Sequence, residues 1–163
     1  MPKLNRFEDL GDIDDLMMDM AGVKEIVAGV AVVWNGHILL VHPTNASWRN
    51  SALGIPKGHV EEGEEYIDAA VRELKEETGI EISTNDLNQD MLSVPMYKGK
   101  EIEKMLLYFE LHINSPSEIG MDSLKINKNK LQLTEIDWAG FVPIRDAYPL
   151  MHRNQLIILD RLT

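Results

Sequence analysis

The chain has 163 residues, 44% apolar and 26% charged, which are ordinary proportions for a globular protein of one domain. It has no cysteine, which excludes a disulfide scaffold, a thiolate metal centre and a cysteine nucleophile. The formal charge of −11 is concentrated in residues 8–19, with six acids and no base, and in residues 58–80, with eight acids against Arg72 and Lys75. A duplex-binding domain concentrates basic charge instead, so no stable nucleic-acid complex is expected.

The acidic start lacks the apolar core of a signal peptide, and no apolar run reaches the ~18 residues of a membrane span, so a cytoplasmic protein without membrane contact is expected. One domain over 1–163 is expected, with 1–24 as an N-terminal extension. Residues 7–20 read as a short acidic helix with Leu10, Ile13, Leu16 and Met17 on one stripe, either docked on the surface or forming a homodimer contact.

Residues 25–34 and 37–42 are rich in valine, isoleucine and leucine and are joined by Asn35-Gly36, which predicts a hairpin. A short strand is expected at 53–55. From Glu65 to Thr78 the period is helical, with Ile67, Ala70, Val71, Leu74 and Thr78 facing the core and Gly79 as the stop. Strands follow at 91–97, 104–113 and 136–142, separated by a long loop over 114–133. A last helix over 153–162 should bury Leu156, Ile157, Leu159 and Leu162. Irregular alternation with short connections predicts a mixed sheet between helices, in the α/β or α+β class.

The chemistry concentrates in residues 58–80, GHVEEGEEYIDAAVRELKEETGI. Glu73, Glu76 and Glu77 stand at i, i+3 and i+4, so they share a helix face clear of the core stripe. Such like charges repel, and a hard divalent cation, Mg²⁺ or Mn²⁺, would reverse the penalty and bridge them to phosphates. A solvated acidic face is the plain alternative. Ala69 and Ala70 should leave space beside the carboxylates, Arg72 should hold their rotamers, and Gly58 and Gly63 should let the preceding loop turn sharply.

The segment resembles the Nudix box, G-x(5)-E-x(7)-R-E-U-x-E-E-x-G-U with U a bulky aliphatic, at Gly58, Glu64, Arg72, Glu73, Leu74, Glu76, Glu77, Gly79 and Ile80. The resemblance implies the Nudix α/β/α sandwich and hydrolysis of a nucleoside diphosphate linked to another moiety. It implies metal binding by Glu73, Glu76 and Glu77 with the Gly58 carbonyl, while Glu64 and Arg72 brace the loop and helix. It also implies a further carboxylate as general base on a loop before the last strand or helix. Glu135 fits that place, with Glu118 second, and Glu76 or Glu77 could serve directly.

Residues 51–64 resemble the P-K-G-H-V-E-x-G-E entrance of diadenosine tetraphosphate hydrolases and diphosphoinositol polyphosphate phosphohydrolases, although the tryptophan found there a few residues before the proline is absent and Trp48 lies further upstream. The resemblance puts Lys57 and His59 beside the substrate phosphates. Tyr97, seventeen residues after Ile80, stands where the diadenosine polyphosphate hydrolase group has a base-stacking tyrosine; Pro95 stands near the proline of ADP-ribose pyrophosphatases. Lys98, Lys100 and Lys104 are expected on one rim, for the outer phosphates or as protection of an edge strand. The substrate expectation is a dinucleoside polyphosphate such as diadenosine tetraphosphate. The alternatives are ADP-ribose, a nucleoside triphosphate, an RNA 5′ end, or a non-catalytic nucleotide sensor.

Overall fold

The computed structural model describes residues 23–163, so the expected 7–20 helix lies outside the described residues. The aliphatic runs form β1 (Glu25–Trp34) and β2 (His37–Pro43), joined by Asn35 and Gly36 at φ 47° and 71°. Two positive φ values in succession give the turn whose twist matches paired strands. The other strands are β3 (Lys57–His59), β4 (Leu92–Lys98), β5 (Glu101–His112) and β6 (Ile136–Pro143). Their order is β4-β5-β1-β2-β6, with β3 pairing on β1. β1 and β5 run parallel and the other pairs antiparallel, so the sheet is mixed as expected.

β2 pairs with β1 only beside the turn, at Val33–Ile38 and Trp34–His37. Towards the start of β1 residues 53–59 sit between the two strands, with Gly54 bridged to Val41 and Gly58 opposite Ala28. This wedge delivers Lys57 and Gly58 to the site.

The helix α1 (Tyr66–Thr78) covers one face of the sheet, and α3 (Leu156–Leu162), after the short α2 (Ile144–Ala147), covers the other. Alternate residues of a strand point to opposite faces. Val30 and Val32 therefore pack with Leu74 of α1, while Val27 and Ala31 belong to the layer of Ile158 and Leu159. A sheet covered on both faces needs near-continuous apolar strands, which β1 and β2 supply. The architecture is the Nudix α/β/α arrangement, α+β in class.

Several local expectations need correction. β3 was not foreseen, and Leu53 and Gly54 form isolated bridges instead of a strand over 53–55. Ala69 and Ala70 are fully buried in the core and open no space beside the carboxylates. The buried stripe of α1 includes Glu73 and Glu77, whereas Ile67 and Val71 are only half-buried. Ile157 is exposed and Ile158 buried, because a 3₁₀ turn over Arg153–Gln155 delays the helix to Leu156 and changes its phase. The 114–133 loop contains two 3₁₀ turns and buries Ile119, Met121, Ile126 and Leu131. Among the described residues no helix is long and apolar enough to cross a membrane.

Candidate active site

The loop before α1 turns at Gly63, φ 79°, and is tied to the helix by Arg72. Its guanidinium donates to both Glu64 oxygens at 2.8 and 3.0 Å, to the His59 carbonyl at 2.8 Å, to Glu73 at 3.2 Å and to Glu76 at 3.1 Å. A planar fork with five donors suits this many acceptors; lysine could not reach them. The Arg72 hydrogen bonds hold the Glu64 carboxyl below its ordinary range, and Glu64 in turn raises the Arg72 pKa. At the far end Gly79, in the left-handed region, donates to the Lys75 carbonyl at 2.8 Å and stops the helix.

Glu73 lies against Gly58 so closely that a Cβ there would collide with its carboxylate. Glycine at 58 is thus a steric requirement of the carboxylate, beyond loop freedom. Glu77 accepts from the Lys57 amide at 3.2 Å, so the β3 backbone covers the face that carries it. Burial pushes the Glu77 pKa up to about 8 against the pull of Lys57, with Glu73 and Glu135 adding to the rise. Burial also raises Glu73, helped by Glu76. Glu76 is the exposed member, at 46%.

Beside this face lies a cleft of about 230 Å³ whose lining includes Lys57, Gly58, His59, Glu77, Lys104 and Glu135. Burial lowers the Lys57 pKa, offset by Glu77. Glu135 is exposed, and its charge reaches Glu73, Glu77 and Lys57. Its carbonyl accepts from the Thr44 amide at 2.9 Å, which ties its loop to the one after β2. Glu118 instead accepts from the Asn114 and Ser115 amides at 2.7 and 2.9 Å, capping a 3₁₀ turn, and does not line the cleft.

Tyr97, 46% exposed, stands at the end of β4 and does not line the cleft; its carbonyl accepts from Asn154 at 3.2 Å. The three lysines do not form one rim. A turn and a register shift between Met96 and Tyr97 separate them: Lys104 reaches the cleft, while Lys98 lies 3.8 Å from Glu103. Two polar side chains of the cleft went unnoticed in the sequence. Glu25 holds Lys104 at 3.2 Å and contacts His59, and buried Gln155 accepts from the Ile55 amide at 3.0 Å. An acid opening an apolar strand and an amide opening an apolar helix were their faint signals.

The donor set fits a hard divalent cation: three carboxylates on one helix face, two of them buried with raised pKa values, beside a backbone that only glycine permits. As the side chains stand, Arg72 bridges Glu73 and Glu76 while Glu77 turns to Lys57, and among the described residues no three ligating groups converge on one point. Glu76, the exposed member, is held there by Arg72 at 3.1 Å.

Residues 24–158 match the family model described as NUDIX domain. The chain is 34% identical over 66 residues to a bis(5'-nucleosyl)-tetraphosphatase (asymmetrical) of Caenorhabditis elegans, covering 40% of the chain and 48% of that protein. It is 43% identical over 49 residues to an RNA pyrophosphohydrolase of Rhizobium meliloti (strain 1021), covering 30% of the chain and 29% of that protein. The chain thus spans less than half the length of either relative. Among solved structures it is similar to a MutT NUDIX hydrolase from Burkholderia pseudomallei, with TM-score 0.66, 21% identity, and 85% and 98% of the two chains covered. It is also similar to a C. elegans Ap4A hydrolase in a binary complex, with TM-score 0.59, 21% identity, and 85% and 94% covered. The sheet order, the loop–helix and the family match agree: this chain belongs to the NUDIX domain family.

Proposed function

We propose that the protein is a divalent-metal-dependent pyrophosphohydrolase that cleaves a nucleoside diphosphate from another moiety, with dinucleoside polyphosphates as its substrate class. The observation that carries this reading is the two-sided cleft, in which Lys57 and Lys104 share one lining with Glu77 and Glu135. Anionic phosphates suit the lysines, and a cation suits the carboxylates.

Glu73, Glu76 and Glu77, with the Gly58 carbonyl, would hold Mg²⁺ or Mn²⁺. When bound, such an ion neutralises phosphate oxygens and makes water easier to deprotonate. Glu135 accepts the proton of the attacking water, because it is exposed to solvent and close enough to the buried glutamates for its charge to be felt there. Half-buried Lys57 gains from an incoming phosphate the counter-charge that its burial makes costly to lack. Lys104, held by Glu25, extends the cationic side outward to the later phosphates of a long chain, and His59, which contacts the same carboxylate, offers them a ring nitrogen. Tyr97 stacks on a nucleobase beyond the cleft.

The local identity to the tetraphosphatase supports this class. The 43% match to the RNA pyrophosphohydrolase favours a triphosphorylated RNA 5′ end as the second reading. Steady-state kinetics on diadenosine tetraphosphate, ADP-ribose, a nucleoside triphosphate and triphosphorylated RNA, each with Mg²⁺ and Mn²⁺, separates the two. The tetraphosphate should give the highest kcat/KM, and Lys57→Ala should penalise it more than ADP-ribose. A wild type that prefers ADP-ribose, or equal penalties on both, overturns the substrate class.

A further inference from the structure

The cleft of about 230 Å³ carries the groups suited to phosphates and is lined by no tryptophan, tyrosine or phenylalanine, so an aromatic support for a nucleoside has to come from its rims. The start of β1, the end of β2 and the start of β6 meet at the end of the sheet where the cleft opens, through Glu25, Pro43 and Ile136. The loop leaving β2 begins at Pro43 and returns at Ala52, and both residues line the cleft. At the crest of that loop is Trp48, 59% exposed and the most exposed large apolar side chain among the described residues.

Exposed as it is, Trp48 is held from behind. Its ring lies flat on His42, with centroids 3.7 Å apart and planes 3° from parallel, and its edge meets Trp138 at 5.9 Å. His42 is 1% exposed, and its Nδ1 lies 2.6 Å from an Asp137 oxygen, which fixes the ring plane. The other imidazole nitrogen, Nε2, is buried without a hydrogen-bond partner. An apolar side chain would fill that place without leaving a polar atom unpaired. The arrangement therefore costs stability, and what it delivers is an indole fixed in one orientation with its outer face open.

Resting on the nucleotide reading above, we infer that the outer face of Trp48 is a stacking platform for a purine base of the substrate. The purine is chosen because a flat, wide π surface matches an indole and stacks on it without regard to hydrogen-bond pattern. Trp48 stands over β2 and β6 and Tyr97 on β4, with β5, β1 and the β3 wedge between them. The cleft lies between them, so a substrate with a nucleoside at each end of a phosphate chain meets an aromatic ring at each end.

Tryptophan fluorescence tests this without turnover. AMP should quench wild-type emission saturably, inorganic tripolyphosphate should not, and the AMP quench should disappear in Trp48→Phe, which removes the fluorophore of the platform and leaves Trp34 and Trp138 in place. In kinetics on whichever nucleotide the wild type cleaves best, Trp48→Ala should raise KM roughly 5- to 150-fold, the worth of one aromatic–base stack, with kcat changed less. Trp48→Phe should stay near wild type. An unchanged quench in Trp48→Phe, no quench in the wild type, or an unchanged KM in Trp48→Ala overturns the platform. So does a Trp48→Ala variant whose defect tracks a change of oligomeric state in size-exclusion chromatography, which would make this surface a contact between copies. A Trp48-dependent quench in a protein that ignores dinucleoside polyphosphates keeps the platform and overturns only the substrate class.

Discussion

Within residues 58–80 one guanidinium reaches four groups at 3.2 Å or less, two of the three helix carboxylates are buried, and a glycine is fixed by contact with one of them. At the rims, Tyr97 and Trp48 show about half of their surface to solvent, and the Trp48 ring rests on His42 and meets Trp138 edge-on. The difference matches the tasks proposed for the two regions. Phosphoryl transfer depends on charges held in place before the substrate arrives. Base recognition depends on an open flat surface. Damage to the braced region should therefore reach kcat or stability, and damage at the rims should reach KM.

Glu135→Gln challenges that division most strongly, because Glu135 is exposed like a rim residue but acts electrostatically on the buried glutamates. We expect kcat to fall roughly 10²–10⁴-fold, the range for loss of a general base, with metal affinity nearly unchanged. A loss below about threefold would move the proton acceptor into the box itself.

Glu64→Gln probes the brace. Arg72 would lose its charged two-point partner, and the melting curve should show about 1–3 kcal/mol of destabilisation, or roughly 2–10 °C. The pH dependence has a definite sign. The Glu64 pKa is lower in the folded protein than in the unfolded one, so its contribution is present above the unfolded value and is lost as pH falls through the folded value. The gap between wild type and variant should accordingly be full at neutral pH and close on acidification. An equal gap at every pH would mean that the amide disrupts packing and that the ion pair adds nothing.

How much could be read in advance follows the same division. Spacing along one helix brings Glu73, Glu76 and Glu77 to one face, and Asn35-Gly36 sets the hairpin, because both depend only on neighbours in the chain. Burial of Glu73 and Glu77 was not legible, since spacing tells which residues share a face and not that β3 will cover it. His42 meets Asp137 across 95 residues, and Ile55 meets Gln155 across 100. No local pattern encodes such pairs. The exposure of Ile157 turned on three residues adopting a 3₁₀ turn before α3, a change of phase that an apolar run does not disclose.

The central claim is that the helix carboxylates work through a divalent ion, and direct measurement of Mn²⁺ binding alongside turnover tests it. By calorimetry and by the Mn²⁺ paramagnetic signal, wild type should bind the ion, and Glu76→Gln and Glu77→Gln should each bind it more weakly. Each should also lose roughly 10²–10³-fold in kcat/KM on the best substrate, the scale of losing one preorganised charge-stabilising group. The melting temperature of metal-free Glu77→Gln should change little at neutral pH, because burial raises the Glu77 pKa to about 8 and leaves its carboxyl largely neutral, as an amide is. Unchanged Mn²⁺ affinity and near wild-type turnover in both variants would contradict the account.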